Sequence, residues 1–360
     1  MSDMKPLKIA VAGLGRMGVV HALHVHELER DTNVCELVAV ADLDTSRAKN
    51  FLADVGREVP VFSSVDELTK SNVCDATVVV TPTDSHREHA AKLIAAGHRV
   101  MLEKPLTGTL EGDRDFAAEL EAKHPDALML AFQRRFDEPL IYAKKLVDEG
   151  IVGQVFKVFS ALEDSNPAPN GYVSGGILPD MSVHNVDEIL WLTGRMPTRA
   201  MSIGSRVYSH KLTTCEEDFD DALLYMWFGD DLLAQVQVTR NHVAGYRVET
   251  ILFGEQGQVH VGHFDGKPFE VIVEAYGKRG RSQPLAKKTF TARDYGKPLP
   301  EFVDRFGAAY KSELTTFIQC CSENKPFPST HRDGLRAQEV ISAGMRAVFG
   351  SEQAAAVGAQ

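Results

Sequence analysis

The sequence predicts an α/β chain of two domains: a doubly wound parallel sheet in residues 1–132 and an α+β domain with a large, mostly antiparallel open sheet in residues 133–360. Three observations predict it. In the first third, short and almost wholly apolar runs alternate with helix-patterned segments, as strands buried on both faces of a parallel sheet require. From residue 200 to about residue 273 the pattern changes to short runs of alternating apolar residues with no helix between them, which reads as antiparallel sheet. At 360 residues the chain has room for about two such domains with large cores.

Residues 8–12, KIAVA, form the first strand and stop at Gly13, which opens G-x-G-x-x-G spacing with Gly15 and Gly18. The first glycine permits a tight turn, the second lets a pyrophosphate approach the backbone, and the third lets the helix beginning near Arg16 pack on the strand. The free N–H groups at that helix start, around Arg16 and Met17, would carry the phosphates. The next run, LVAVA at 37–41, ends at Asp42, at the separation a βαβ unit needs to set a carboxylate on the adenosine ribose. Asp42 and Asp44 together would repel a 2′-phosphate, which favours NAD over NADP. Arg47, close in sequence, is the opposing signal.

The alternation continues. Residues 59–62 read as an edge-like strand, and Ser64 to Glu67 has capping-box spacing ahead of the next helix. Residues 76–80 are a buried strand ending at Thr81-Pro82-Thr83. Ser85 and Glu88 repeat the capping-box spacing, and the helix they start runs to Ala96 with Gly97 as its C′ residue. Residues 99–102 form the next strand, with Glu103-Lys104-Pro105 at its end, followed by a helix over 109–123 and a strand over 127–132. In an open α/β sheet ligands bind beyond the carboxyl ends of the strands, so Gly13, Asp42, Thr81 and Lys104 are expected to converge on one crevice, with Pro82, His86 and Glu103 as further cofactor candidates. Lys104 reads either as a functional cation or as half of a Glu103–Lys104 pair at a domain edge. His86 and His89 read as structural or cofactor-adjacent.

In the second domain a helix over 139–149 ends at Gly150, a strand follows over 154–162, and NPAPNG at 166–171 is loop. Residues 180–192 read as a helix that carries Asp180, His184 and Asp187 at i, i+4 and i+7, on one face. Beside an apolar face such a trio is costly unless it is capped, paired or lining a pocket, and Gly175-Gly176 upstream would let backbone approach a ligand. Three readings compete: a metal site, which lacks a fourth ligand and a familiar spacing; a capped helix with a satisfied histidine; or His184 as an acid/base tuned by a neighbouring carboxylate. Arg134 and Arg135, at the domain junction, suit either phosphate or substrate, or a domain-linking salt bridge. Helices over 300–322 and 333–348 close the chain.

The composition, 44% hydrophobic and 25% charged, is that of a soluble globular protein. A formal net charge of −11 argues against nucleic acid or an anionic membrane as partner, since both demand a basic surface. The local exception, Lys278, Arg279, Arg281, Lys287 and Lys288, reads as a solvated hairpin or loop. The start, MSDMKPLK, lacks the apolar core of a signal peptide, no run is long enough to span a bilayer, and the five cysteines show neither zinc nor disulfide-framework spacing. The expected location is the cytoplasm.

In order, GLGRMG, VVVTPTDSH, EKP, QRRFD and GGILPDMSVHNVD resemble the glucose-fructose oxidoreductase, inositol dehydrogenase and rhizopine catabolism (Gfo/Idh/MocA) family, over nearly the whole chain. RFGAAY at 305–310 with Glu313 and Phe317, DGL at 333–335, and NPAP ahead of Gly175-Gly176 resemble its inositol dehydrogenase branch. The resemblance implies an N-terminal Rossmann domain and a C-terminal domain whose open sheet carries substrate residues on one face and builds homodimers or homotetramers on the other. It implies catalytic roles for Lys104, ahead of a proline often found cis (Pro105), for Asp180 and for His184. Substrate contacts are expected from Lys104, Arg135, Asn166, Asp180, His184 and Tyr246.

The implied chemistry is oxidation of a ring secondary alcohol to a ketone with NAD. His184 takes the hydroxyl proton as hydride leaves carbon, while Lys104 and Asp180 hold and polarise the oxygen. The expected substrate is a small, neutral, hydroxyl-rich ring, foremost myo- or scyllo-inositol. A glucose-, glucoside- or levoglucosan-type sugar dehydrogenase, a reductase running in reverse, and a non-catalytic dinucleotide-binding sensor are the alternatives. Retention of Lys104, Asp180 and His184 together speaks against the sensor. Two departures bear on the choice of ring: Asn185, where an aspartate commonly follows the histidine, and Glu163-Asp164, where a basic or imidazole residue is commoner.

Overall fold

The computed structural model describes residues 5–165, 174–206, 218–263, 270–278, 283–292 and 300–349. The chain divides into two compact units, Met1–Gln133 with Tyr310–Leu335, and Arg134–Ala309 with Arg336–Gln360.

In the first unit apolar runs become strands and the amphipathic stretches between them become helices: β1 (Leu7–Ala12), α1 (Arg16–Thr32), β2 (Cys35–Ala41), α2 (Thr45–Asp54), β3 (Val61–Phe62), α3 (Val65–Ser71), β4 (Ala76–Val79), α4 (His86–Ala95), β5 (Arg99–Glu103), α5 (Leu110–Lys123) and β6 (Leu128–Ala131). All strand pairings are parallel, and the order is β3-β2-β1-β4-β5-β6. The order reverses between β1 and β4, where a Rossmann sheet opens its crevice. Ile9, Val11, Leu37, Val78, Met101 and Leu130 are fully buried, as strands covered on both faces require.

Residues 310–335, expected with the second domain, belong instead to this unit. The cause is local to β6: the amide of Leu130 donates to the Ser329 carbonyl at 3.1 Å, the Ser329 hydroxyl donates to the Leu130 carbonyl, and Gly334 lies so close that a Cβ there would stand 2.6 Å from the Leu130 side chain. A second departure concerns Ser85. The Ser64 cap forms, accepting from the Glu67 amide at 3.2 Å, but Ser85 makes no side-chain cap on α4. A short 3₁₀ turn over Thr83–Ser85 intervenes, and the Ser85 hydroxyl turns back to the Pro82 carbonyl at 2.7 Å.

The second unit holds α6 (Glu138–Asp148), β7 (Val155–Glu163), α7 (Val183–Thr193), β8 (Arg199–Ser205), β9 (Asp221–Trp227), β10 (Leu233–Thr239), β11 (Arg247–Gly254), β12 (Gly257–Val261), β13 (Glu270–Gly277) and β14 (Ala286–Thr291). It also takes the start of α8 (Glu301–Glu323), the end of α9 (His331–Arg346), and β15 (Val348–Phe349). Its nine strands lie in the order β14-β13-β12-β11-β7-β10-β9-β8-β15. The sheet is antiparallel except where β7 meets β10 and β8 meets β15. One face, with Ser160, Leu224, Val236 and Thr250, is buried under α7 and the end of α9. The other, with Phe159, Leu223, Tyr225, Trp227 and Ile251, is half-buried, so β9 shows the period of two expected of a sheet with one covered face. Lys287 of the basic stretch lies on β14, 2.7 Å from Glu274, while Arg279 and Arg281 fall outside the described residues.

Candidate active site

The residues expected to take a dinucleotide gather at the carboxyl ends of β1, β2, β4 and β5. Gly13 has φ +93°, and a Cβ on it would stand 2.5 Å from the Val80 carbonyl oxygen. One on Gly18 would stand 1.8 Å from the Gly13 carbonyl oxygen, so the turn closes only with glycine at both positions. Gly15 faces open space, and as the residue ahead of α1 it leaves the first amides of that helix with no side-chain cap. Exposed Arg16 and half-buried Met17 follow. This cradle suits a pyrophosphate. Asp42 is fixed at its rim, accepting from the Leu14 amide at 2.6 Å and the Asp44 amide at 2.8 Å, and Arg47 lies 3.4 Å from Asp44.

Thr81 and Pro82 follow β4, and the Thr81 hydroxyl lies 3.0 Å from His89. His86, expected beside the cofactor, is instead 1% exposed, with its ring nitrogens 2.8 Å from the Pro105 carbonyl oxygen and 2.9 Å from that of Thr81. Burial pushes its pKa down, against the pull of those two carbonyls. Glu103 does not reach outward either. It lies 2.8 Å from His21 Nε2 and accepts the Lys104 amide at 3.0 Å. Burial raises the Glu103 carboxyl, but His21 and Lys104 outweigh burial and hold it below its usual range. Lys104 is half-buried at the end of β5, and the Lys104–Pro105 bond is cis. His21 was not legible as a participant, although its place three residues after Gly18 on the buried side of α1 was a signal.

In the second unit the predicted single helix over 180–192 is two pieces, a π turn over Leu178–Ser182 and then α7. A π turn closes through i→i+5 bonds, so the 3.6-residue spacing behind a one-face trio stops at Val183. Asp180, in the π turn, accepts from Arg240 at 2.6 Å, with side chains 12% and 6% exposed. His184 stands in the first turn of α7. Asp187 is 1% exposed and takes Arg135 bidentately, at 3.0 and 2.6 Å. Arg135, expected on substrate, therefore has a partner within its own unit. Arg134 lies 2.7 Å from Glu188, both buried within this unit.

Asp218 presents the turn ahead of Asp180. Its Oδ1 accepts the Ile177 amide at 2.7 Å, and a Cβ on Gly176 would stand 2.8 Å from that oxygen, so the glycine makes room for Asp218. Arg240 and Asp218 were both missed by sequence reasoning. Arg240, a charge closing the alternating run of β10, was the available signal. Burial holds the Tyr246 hydroxyl protonated well above its usual range. Asn166 lies outside the described residues. The two departures point inward: Asn185 is fully buried and donates to Ser160 at 2.7 Å, and Glu163 is bound by Gln237 at 2.5 Å and Arg247 at 3.0 Å. Among the described residues no three His, Cys, Asp or Glu side chains are arranged to hold a metal ion, and no helix is long and apolar enough to cross a membrane.

A Rossmann sheet whose glycine turn suits a pyrophosphate, with a fixed carboxylate at the end of β2, is the architecture of a dinucleotide-binding protein. Residues 7–132 match the oxidoreductase family with an NAD-binding Rossmann fold, and residues 140–260 match the GFO/IDH/MocA C-terminal domain; the chain belongs to the Gfo/Idh/MocA family. It is similar to the scyllo-inositol 2-dehydrogenase (NAD(+)) of Bacillus subtilis (strain 168), 28% identical over 322 residues that cover 89% of this chain and 87% of that one. The inositol 2-dehydrogenase of Rhizobium meliloti (strain 1021) is 27% identical over 354 residues, covering 96% and 98%. Among solved structures, scyllo-inositol dehydrogenase from Lactobacillus casei with bound NAD(H) and scyllo-inositol is 26% identical with a TM-score of 0.79, covering 96% of this chain and 97% of that one.

Proposed function

We propose that this protein oxidises a ring secondary alcohol of myo- or scyllo-inositol to the ketone with NAD. The observation that supports this most directly is similarity over nearly the full length to enzymes named for that substrate and cofactor, among them the Lactobacillus casei structure. NAD, when bound, supplies the hydride acceptor. The chain's own residues do the rest: the cradle at Gly13, Gly15 and Gly18 takes the pyrophosphate and Asp42 the ribose. Lys104 donates a hydrogen bond to the reacting hydroxyl, Asp180 orients it, and His184 takes its proton. Arg240 donates to Asp180 Oδ2, a charge-assisted bond that fixes the aspartate as an orienting group.

Assembly as a homodimer or homotetramer across the open sheet face belongs to this reading. It is supported by the half-buried side chains of Phe159, Leu223, Tyr225, Trp227 and Ile251, which crowd one face with apolar surface. Light scattering on the purified protein tests it, and a monomer would remove it. A cytoplasmic location accords with five cysteines that show no zinc or disulfide-framework spacing. The decisive experiment follows formation of reduced nicotinamide with NAD and with NADP against myo-inositol, scyllo-inositol, glucose, xylose, galactose and levoglucosan. Turnover with an inositol and NAD is expected. Turnover confined to a sugar would replace the substrate, and none at all with NAD bound would favour a sensor.

A further inference from the structure

Each residue flanking Lys104 is held by a buried histidine, and each histidine comes from a helix that begins at a segment suited to the dinucleotide. On one side, Glu103 carries both His21 and the Lys104 amide, one on each carboxylate oxygen. His21 is fully buried on α1, its ring edge-on to Tyr310 with centroids 5.8 Å apart. Its Nδ1 has no hydrogen-bond partner, and a buried N–H without an acceptor is costly, so the ring proton belongs on Nε2, directed at Glu103. On the other side, His86 opens α4 and spans the carbonyls of Pro105, through Nδ1, and Thr81, through Nε2. Carbonyl oxygens only accept, so a neutral ring donates to one of them and a protonated ring to both.

We propose that His21 and His86 are positioning residues that hold the Lys104 backbone from both sides and tie its place to the glycine turn and the Thr81 loop. The inference rests on the reading of Lys104 as a catalytic residue. A lysine side chain has a long, freely rotating stem, so the ammonium is placed only as well as its backbone is anchored. A displacement of about 1 Å at a reacting group can cost roughly 100-fold in rate. Both rings are too buried to meet a substrate, and the bonds they make end on the residues either side of Lys104 and on Thr81.

The test separates the two arms with substitutions that keep or delete a single donor. His21→Gln keeps a donor near the Nε2 position and His21→Leu removes it; His86→Asn keeps one near Nδ1, toward Pro105, and His86→Gln one near Nε2, toward Thr81. Expected are kcat losses of about 10- to 100-fold for His21→Leu and His86→Gln, with NAD affinity by calorimetry within about threefold of wild type and an intact thermal melt. His21→Gln and His86→Asn should recover most of the loss. A readout independent of turnover is the rate at which an acylating reagent modifies the Lys104 amine, followed by peptide mass spectrometry. NAD should change that rate in the wild type and change it far less in His21→Leu and His86→Gln.

Wild-type kcat and wild-type labelling in those two variants would overturn the proposal, as would losses that track melting or NAD affinity alone. Lys104→Met is measured alongside. Inactivity there with fully active histidine variants sinks the positioning role and spares the reading of Lys104. Persistent turnover in Lys104→Met sinks both.

Discussion

Arg240 Nη2 stands 2.6 Å from Asp180 Oδ2, and both side chains are nearly buried. A charge-assisted hydrogen bond in such surroundings is roughly twice as strong as a neutral one, and removing one partner leaves the other uncompensated. Arg240→Met should therefore lower kcat/KM by about 10- to 100-fold, equivalent to roughly 1.5–3 kcal/mol. NAD affinity should hold, because the cradle belongs to the other unit. Steady-state kinetics with calorimetry of NAD binding checks this, and an unchanged kcat/KM would detach Arg240 from the function of Asp180.

Arg134 and Glu188 form a fully buried ion pair in the second unit, and the Glu188 carboxylate also accepts from the hydroxyls of Ser160 and Thr250. Breaking such a pair from one side strands a buried charge, at a cost of about 3–5 kcal/mol, whereas replacing both partners with apolar residues of similar volume is close to neutral. Glu188→Gln should accordingly lower the urea midpoint sharply, and Arg134→Met with Glu188→Leu should restore much of it. Additive losses in the double variant would mean that each residue stabilises through other contacts.

The first unit was legible because its signals are local: apolar runs of four to seven residues, glycines at fixed spacing and an aspartate at a strand's end specify both the sheet and the nucleotide segments. The second site was only half legible. Asp180, His184 and Asp187 stood out by spacing, but the π turn separates the first from the helix. Their partners Arg240 and Arg135 lie 60 and 52 residues away in sequence, beyond any periodicity. The same limit hid the partners of Arg135, Asn185 and Glu163, which are Asp187, Ser160, and Gln237 with Arg247. His86 read as structural or cofactor-adjacent, and its ring is bonded to the backbone of Pro105, next to Lys104, and of Thr81.

Asp42 accepts two backbone amides, which fix its carboxylate after β2; on the proposed reading it receives a ribose hydroxyl and repels a 2′-phosphate. Asp42→Ala should narrow the preference for NAD over NADP by at least about tenfold, about 1.4 kcal/mol, mainly through weaker NAD binding. The ratio of the two dissociation constants measures it, and an unchanged ratio would remove Asp42 from the ribose.

Asp113, in the first turn of α5, is fully buried. Its Oδ1 accepts both the amide and the hydroxyl of Thr107, at 2.8 and 2.5 Å, while Oδ2 has no hydrogen-bond partner. Burial raises its pKa from 3.8 to about 6, against the opposing pull of Thr107. Because the folded protein holds this proton more tightly than the unfolded chain, the group favours folding below about pH 4, and that contribution is lost as pH rises to about 6, amounting to roughly 3 kcal/mol. Asp113→Asn, which keeps the acceptor for Thr107 without the charge, should raise the melting temperature at pH 7.5 and leave it nearly unchanged at pH 4. A variant that melts lower than wild type at both pH values would show that the second oxygen has a partner the amide cannot replace, and that the carboxylate is stabilising as it stands.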